Sequence, residues 1–172
     1  MSKIEILKKG ITEFDTDAIV NAANSGLYEG SGVCGAIFRA AGSRELNEAC
    51  RRIGGCETGN AVITPGFRLK AGYVIHAVGP IYHGGNHGEG KLLYNAYKNS
   101  LLLAMENNLH SITFPVISSG IYGYPKKEAW EKGISACRKF HELYPDYEMD
   151  IYFAVLDDEA LKLGNSVLKE MK

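Results

Sequence analysis

Two glycine-rich segments of the chain carry residue types that suit phosphate binding. The first reads Gly30-Ser31-Gly32-Val33-Cys34 and comes directly before a predicted helix, whereas the second reads Ser118-Ser119-Gly120-Ile121-Tyr122-Gly123 and follows a predicted strand. Glycine lets an anion approach the backbone, and the unpaired N–H groups and positive dipole of a helix N-terminus favour negative charge. Two such loops at one edge of a sheet would hold two phosphates, which favours a nucleotide diphosphate as ligand.

Two better-known nucleotide motifs are spelled in the sequence but fail on their context. Residues 30–35 read G-x-G-x-x-G, yet the preceding predicted strand ends ten positions earlier, and no carboxylate follows the next strand to hold a ribose. Residues 85–92 resemble a P-loop, but Leu92 stands where a serine or threonine would bind Mg²⁺. We interpret this second segment as a flexible loop that leads into a helix.

The composition is that of an ordinary globular protein. Of the 172 residues, 45% are hydrophobic and 23% are charged, and the net charge is −1. This balance argues against long disorder and indicates no general attraction to nucleic acid. No apolar run approaches the roughly 18 residues of a membrane span. The four cysteines form no C-x-x-C pair, so we expect free thiols in the cytoplasm, no metal site and no cofactor.

The elements that must position the two loops follow from hydrophobic periodicity. Short apolar runs rich in β-branched residues predict strands, and stripes with a period of 3.6 residues predict helices. The predicted strands cover residues 4–7, 18–20, 61–64, 73–78, 112–117 and 150–155. The predicted helices cover residues 33–41, residues 43–52 with Ser43 as N-cap, residues 92–104, a segment that begins at Pro125, and a segment capped by Asp157.

This alternation of strands and helices predicts an α/β fold. We expect a mixed, mostly parallel central sheet between two layers of helices, and a single domain over residues 1–172. Ligands of such sheets bind beyond the carboxyl ends of the strands. The segments predicted at that edge are residues 21–35, 79–91, 118–125 and 156–159, which include both glycine-rich loops.

Several longer stretches resemble the macrodomain family, in order and over nearly the whole chain. Asp17-Ala18-Ile19-Val20-Asn21-Ala22-Ala23-Asn24 is similar to the family's strand and asparagine pair, and Gly30-Ser31-Gly32-Val33 to its first phosphate loop. Residues 114–125, which contain the second glycine-rich segment, are similar to its second phosphate loop. The resemblance is closest to the bacterial O-acetyl-ADP-ribose deacetylases and mono-ADP-ribosyl hydrolases. It implies a three-layer α/β/α macrodomain fold that binds ADP-ribose.

The resemblance also implies roles for individual residues. Asn24 would hold the distal ribose and a water molecule, Tyr122 would close over ribose and phosphate, and Cys34 would stand at the catalytic loop position. The ligand would also contact both loops and two outlying segments. The implied ligand-binding residues are Gly10, Ile11, Ala22, Asn24, Gly30, Ser31, Gly32, Val33, Cys34, Ser118, Ser119, Gly120, Ile121, Tyr122, Gly123 and Leu156.

Three departures from the family pattern bear on activity. The loop of the hydrolase branch reads G-V-D-G, but here Cys34 replaces the aspartate that helps to activate water. The family usually has G-D-I-T where this chain has Lys9-Gly10-Ile11-Thr12, so the acid that accepts the adenine amino group is missing. Glu29 replaces a glycine of the first loop, and we expect its carboxylate to face solvent.

Three functions remain open at this point. The primary hypothesis is an ADP-ribose-binding protein that hydrolyses O-acetyl-ADP-ribose or mono-ADP-ribosyl esters on proteins, slowly because the aspartate is absent. An alternative is a non-catalytic module that binds ADP-ribose, or a related nucleotide with another base, on a partner. The third is a thiol-dependent enzyme, because a helix N-terminus favours the thiolate of Cys34, and its base would be His76, His83 or His87.

Overall fold

Six short strands form one sheet in the computed structural model, which describes residues 2–171. They are β1 (Ile4–Lys8), β2 (Ala18–Ala23), β3 (Ala61–Pro65), β4 (Tyr73–Val78), β5 (Ser111–Phe114) and β6 (Asp150–Val155). Their order across the sheet is β1-β6-β5-β2-β4-β3. Every neighbouring pair is parallel except β3 with β4, so the sheet is mixed and mostly parallel, as predicted.

Within the same residues, five helices cover the two faces of this sheet. They are α1 (Gly32–Ala41), α2 (Ser43–Ile53), α3 (Glu89–Glu106), α4 (Lys126–Leu143) and α5 (Asp158–Glu170), and a 3₁₀ turn covers Ile11–Glu13. No helix in this part of the chain is long and apolar enough to cross a membrane.

Alternation along the central strands explains why helices lie on both faces. Val20 of β2 and Ile75 of β4 belong to the core that α3, α4 and α5 complete. Their chain neighbours Ile19 and Val74 belong to a second core, which α1 and α2 complete. Successive side chains of a strand point to opposite faces, so continuous apolar runs fill both cores. The three-layer α/β/α architecture is therefore confirmed.

Some boundaries differ from the predictions. β5 ends at Phe114 and not at residue 117, because Pro115 has no N–H group to continue the ladder. Ser43 is not the N-cap of α2: Gly42 takes that position at a φ of 105°, which glycine adopts without strain, and the Ser43 hydroxyl donates to Glu29 instead. Asp157 does cap α5, because its Oδ1 accepts a hydrogen bond from Ala160 N at 2.7 Å.

Gly164 in the middle of α5 has a packing reason. A Cβ atom at this position would lie 2.7 Å from the ring of Trp130 and 2.9 Å from Ile6. Glycine therefore lets α5 approach both α4 and β1 closely, which offsets its low helix propensity.

Candidate functional site

A cleft of about 620 Å³ opens at the carboxyl ends of β2, β5 and β6, the edge predicted for the ligand. Both glycine-rich loops line it, so the fold brings together two segments that are far apart in sequence. Of the predicted site residues, the cleft is lined by Ala22, Asn24, Gly30, Ser31, Gly32, Val33, Cys34, Ser118, Ser119, Gly120, Ile121, Tyr122 and Leu156.

The first loop presents the N-terminus of α1 to the cleft. Ser31 is the N-cap but makes no side-chain capping hydrogen bond, and the helix begins at Gly32 with a φ of 60°. The first N–H groups of α1 therefore keep their capacity to donate. A Cβ atom on Gly35 would lie only 2.6 Å from Gly30 O, so glycine lets the loop fold back on the first helical turn. This geometry suits an anion.

The second loop is closed by its own backbone. Tyr124 N donates to Ser118 O at 2.9 Å, and Gly123 N donates to Gly120 O at 3.0 Å. The remaining amides of the loop form a second set of donors on the cleft. Within residues 2–171, no protein group accepts a hydrogen bond from the N–H groups of Gly120, Ile121 and Tyr122.

Ser118 holds a strained position at the start of the second loop. Its φ of 67° lies in the left-handed region, which residues other than glycine rarely adopt. Its Oγ is buried and has no hydrogen-bond partner in the described part of the chain. A Cβ atom on Gly79 would lie 2.2 Å from that oxygen, so the glycine after β4 makes room for the serine. Strain and an unsatisfied hydroxyl at one residue are typical of ligand sites.

Asn24 uses its side-chain amide to hold the loop that precedes the first phosphate loop. Its Oδ1 accepts from Tyr28 N at 2.9 Å, and its Nδ2 donates to Tyr28 O at 2.9 Å. An asparagine amide offers two protons and two lone pairs. One proton and one lone pair of Asn24 therefore remain for a ligand hydroxyl or a water molecule.

Cys34 lies beside the same carbonyl group. Its Sγ is 3.8 Å from Tyr28 O, and the residue is 8% exposed. Among residues 2–171 this is the only hydrogen bond of the thiol, and no histidine pairs with it. The structure therefore assembles no thiol–base pair at Cys34 of the kind that nucleophilic catalysis uses.

His76 is a structural residue of β4. Its ring is fully buried, its Nδ1 lies 3.1 Å from Asn21 Nδ2, and its Nε2 lies 3.0 Å from Thr64 Oγ1. Burial lowers the pKa of His76 to about 4. The imidazole is therefore neutral at neutral pH, with both nitrogens bound inside the protein.

Three of the predicted site residues lie outside the cleft lining. Ile11 is 6% exposed and packs into the core beneath α1. Gly10 precedes the 3₁₀ turn, and its N–H donates to Glu13 Oε2 at 3.2 Å. Gly123 has a φ of 72° and turns the chain at the end of the second loop.

The sequence analysis missed lining residues that follow the strand ends and begin the next helices. They include Gly79, Pro115, Val116, Lys126, Trp130, Asp157, Glu159, Ala160 and Leu163. A signal for part of this set was present, because Pro125 and Asp157 mark helix starts. A helix that follows a parallel strand begins at the edge where that strand ends.

Charges around the first loop are arranged to leave it open to an anion. Glu29 is exposed, as predicted, and its carboxylate accepts from Ser43 Oγ at 3.1 Å and from Asn47 Nδ2 at 3.0 Å on α2. Within residues 2–171 no three His, Cys, Asp or Glu side chains gather as metal ligands would.

The chain is similar to proteins of a described family. The family profile described as Macro domain matches residues 20–132, a stretch that contains both glycine-rich loops. An O-acetyl-ADP-ribose deacetylase of Salmonella typhimurium is 47% identical over 173 aligned positions, which cover 98% of this chain and 96% of that protein.

Solved structures are similar over most of the chain. An Oceanobacillus iheyensis macrodomain with ADP is 36% identical, with a TM-score of 0.90, over 96% of this chain and 90% of that one. A Trypanosoma brucei macrodomain in complex with ADP-ribose is 37% identical, with a TM-score of 0.88, over 95% of this chain and 68% of that one.

Proposed function

Because this chain belongs to the macro domain family, we propose that its cleft binds ADP-ribose and that the protein hydrolyses O-acetyl-ADP-ribose or mono-ADP-ribosyl esters. The observation that carries the proposal is that two loops with undonated backbone N–H groups line one cleft. Its volume of about 620 Å³ lies within the roughly 300–1,000 Å³ that small-molecule sites occupy.

The diphosphate would lie between residues 30–34 and 119–122, where backbone donors are available on both sides. Ile121 and Leu156 are 89% and 74% exposed at the rim, and each offers an apolar surface to the ligand. Leu156 would pack against the base. Gly10 carries no acid for the adenine amino group, so recognition of the base would rest on backbone groups near Ile11.

Hydrolysis of the ester would proceed by attack of water on the acyl carbon. The water oxygen bonds to that carbon, the bond from the carbon to the ribose oxygen breaks, and the ribose oxygen takes a proton. Asn24 would position the water or the ribose hydroxyl with its remaining proton and lone pair, and Tyr122 would close over the ribose. Cys34 supplies no carboxylate, so the substrate diphosphate would take the water's proton. Loss of a general base costs about 10²–10⁴ in rate, and we expect slow turnover.

A second candidate is a module that binds ADP-ribose without catalysis. It is favoured by the contact of Cys34 Sγ with Tyr28 O, because the thiol is engaged with the backbone and offers no base to a water. The loss of an acid at Gly10 extends this candidate to nucleotides with another base. Competition between ADP-ribose and its inosine analogue tests that extension, since strict preference for adenine would count against it.

Calorimetry with ADP-ribose, followed by a turnover assay with O-acetyl-ADP-ribose, tests the main proposal. We expect one binding site per chain and slow release of acetate. The absence of heat at millimolar ADP-ribose would overturn the proposed binding. Binding without any acetate release would leave the non-catalytic module as the function.

We further propose that residues 1–172 form one domain and that ADP-ribosylated proteins are its partners. The four cysteines are free thiols, which suits a reducing compartment such as the cytoplasm.

A further inference from the structure

A second cavity, of about 330 Å³, adjoins the cleft. Gly79 and Tyr122 line both cavities. Ser25 lines the second cavity, and it directly follows Asn24, which lines the cleft. The second cavity therefore continues the cleft beyond its Asn24 end.

One wall of the second cavity is the loop of residues 83–88, which the sequence analysis interprets as a flexible loop. Glu89, the first residue of α3, is only 2% exposed, and its carboxylate accepts from the N–H groups of His83, Gly85 and His87 at 2.8, 3.0 and 2.6 Å. Burial raises the pKa of Glu89, but these donors outweigh burial and lower it to about 2. The loop is thus built around a buried anion that fixes its path.

The side chains on this loop offer hydrogen-bond donors to the cavity. His83 and His87 are both exposed and line it, with their rings edge to face and their centroids 6.1 Å apart. Hydroxyl groups of Ser25 and Thr58 line the same space. Imidazole N–H and hydroxyl groups match an acceptor such as a carbonyl oxygen or a carboxylate. The carboxylate of Glu89 is too deeply buried to receive a cationic group.

We propose that this second cavity binds the acyl group that an ester joins to the distal ribose, and that His83 and His87 hold its carbonyl oxygen. The inference rests on the proposed function, which places that ribose at Asn24. The cavity is roughly ten times the ~30 Å³ that one water takes in the liquid. An acetyl group fills only a small part of it, whereas an acidic side chain with its adjoining backbone fills most of it. The cavity thus favours esters of acidic side chains over O-acetyl-ADP-ribose.

Calorimetry with two probes tests this inference. The probes are ADP-ribose and a peptide whose ADP-ribose is joined to a glutamine side chain, the amide isostere of the glutamate ester. We expect the protein to bind the peptide about tenfold more tightly than ADP-ribose, because the cavity adds hydrogen bonds. The double variant His83→Ala/His87→Ala should lose this preference and keep its affinity for ADP-ribose within about twofold. The loop should persist, because Glu89 binds its backbone and not its side chains.

Two further variants separate the cavity from general effects. His110→Ala removes an exposed histidine that directly precedes β5, at the opposite edge of the sheet, and should change neither affinity. Thr58→Phe fills the second cavity without touching the lining of the cleft, and should abolish the preference for the peptide.

The outcomes distinguish the two levels of the argument. An equal affinity of the unaltered protein for both probes, or a preference that survives both the histidine variant and Thr58→Phe, would overturn the inference and leave ADP-ribose binding intact. Failure to bind ADP-ribose at all would overturn the proposed function, and this inference with it.

Discussion

The two ends of the cleft differ in which part of the chain meets the ligand. The glycine-rich loops offer backbone N–H groups, whose geometry depends on the fold and on a few glycines. The ribose end offers the side chains of Asn24 and Cys34, so its chemistry depends on residue type. Replacement of an acid by Cys34 therefore alters the ribose end and leaves the loops intact. Binding and catalysis can be separated in this chain, and each prediction below probes that separation.

The largest effect is expected at the ribose end, from Cys34→Asp. The carboxylate cannot donate to Tyr28 O as the thiol does, so it would turn towards the cleft and act on the water. We expect turnover of O-acetyl-ADP-ribose to rise by about 100-fold or more, as a general base contributes. The affinity for ADP-ribose should change by about threefold at most, because the loops are untouched. Cys34→Ser is the control, and equal turnover by all three proteins would show that the acid is dispensable.

A pH titration should separate the fold from the loops. The pKa of His76 is lowered to about 4 from 6.5, so the unfolded chain binds a proton that the folded chain rejects between these values. This contribution to stability is complete above pH 6.5 and is lost as the pH falls towards 4, by about 3 kcal/mol. Chemical denaturation at several pH values measures it.

The loops should respond differently to the same titration. They bind through backbone N–H groups that do not titrate, so the affinity for ADP-ribose should stay constant while the protein remains folded. His76→Gln should remove this part of the pH dependence of stability. A parallel loss of affinity and stability with pH would argue against backbone recognition.

A single methyl group should disrupt the first loop. In Gly35→Ala the new Cβ would lie 2.6 Å from Gly30 O, so the loop must shift. Overpacking of this kind costs about 1–3 kcal/mol, and we expect the affinity for ADP-ribose to fall about 10- to 100-fold. Gly120→Ala is the matched control, because its Cβ meets no atom within 4 Å. Equal affinities of the two variants would contradict the role of the first loop.

The smallest effect is expected from Asn24→Ala. This change removes two hydrogen bonds to the Tyr28 backbone, and the free energy of unfolding should fall by about 1–2 kcal/mol. The affinity for ADP-ribose should fall only a few-fold, because the loops remain, whereas acetate release should be lost. Unchanged turnover in a folded Asn24→Ala variant would remove Asn24 from the mechanism.

Much of the fold could be predicted because local pattern and tertiary demand agree. Continuous apolar runs such as residues 73–78 became strands buried on both faces, and the stripe of residues 92–104 became α3. Predictions failed where a distant contact decided the outcome. Ser43 is a favourable N-cap residue, but Glu29 takes its hydroxyl group. Three-dimensional neighbours of this kind leave no periodic signal in the sequence.

The site shows the same division. The phosphate loops could be predicted because glycines and hydroxyls mark them locally. The clamp between Asn24 and Tyr28, the strain at Ser118 and the anchoring of a loop by Glu89 could not, because each depends on backbone geometry that many residue types allow. The Glu89 loop carried a partial signal, since an acidic residue at a helix start after several glycines is placed to accept backbone N–H groups.

Amide chemical shifts on titration with ADP-ribose test most directly whether backbone donors of both loops hold the diphosphate. We expect the largest shifts at the N–H groups of Gly32, Val33 and Cys34 and of Gly120, Ile121 and Tyr122, with AMP shifting only one of the two sets. Large shifts that spare either loop under saturating ADP-ribose would contradict this account of the cleft.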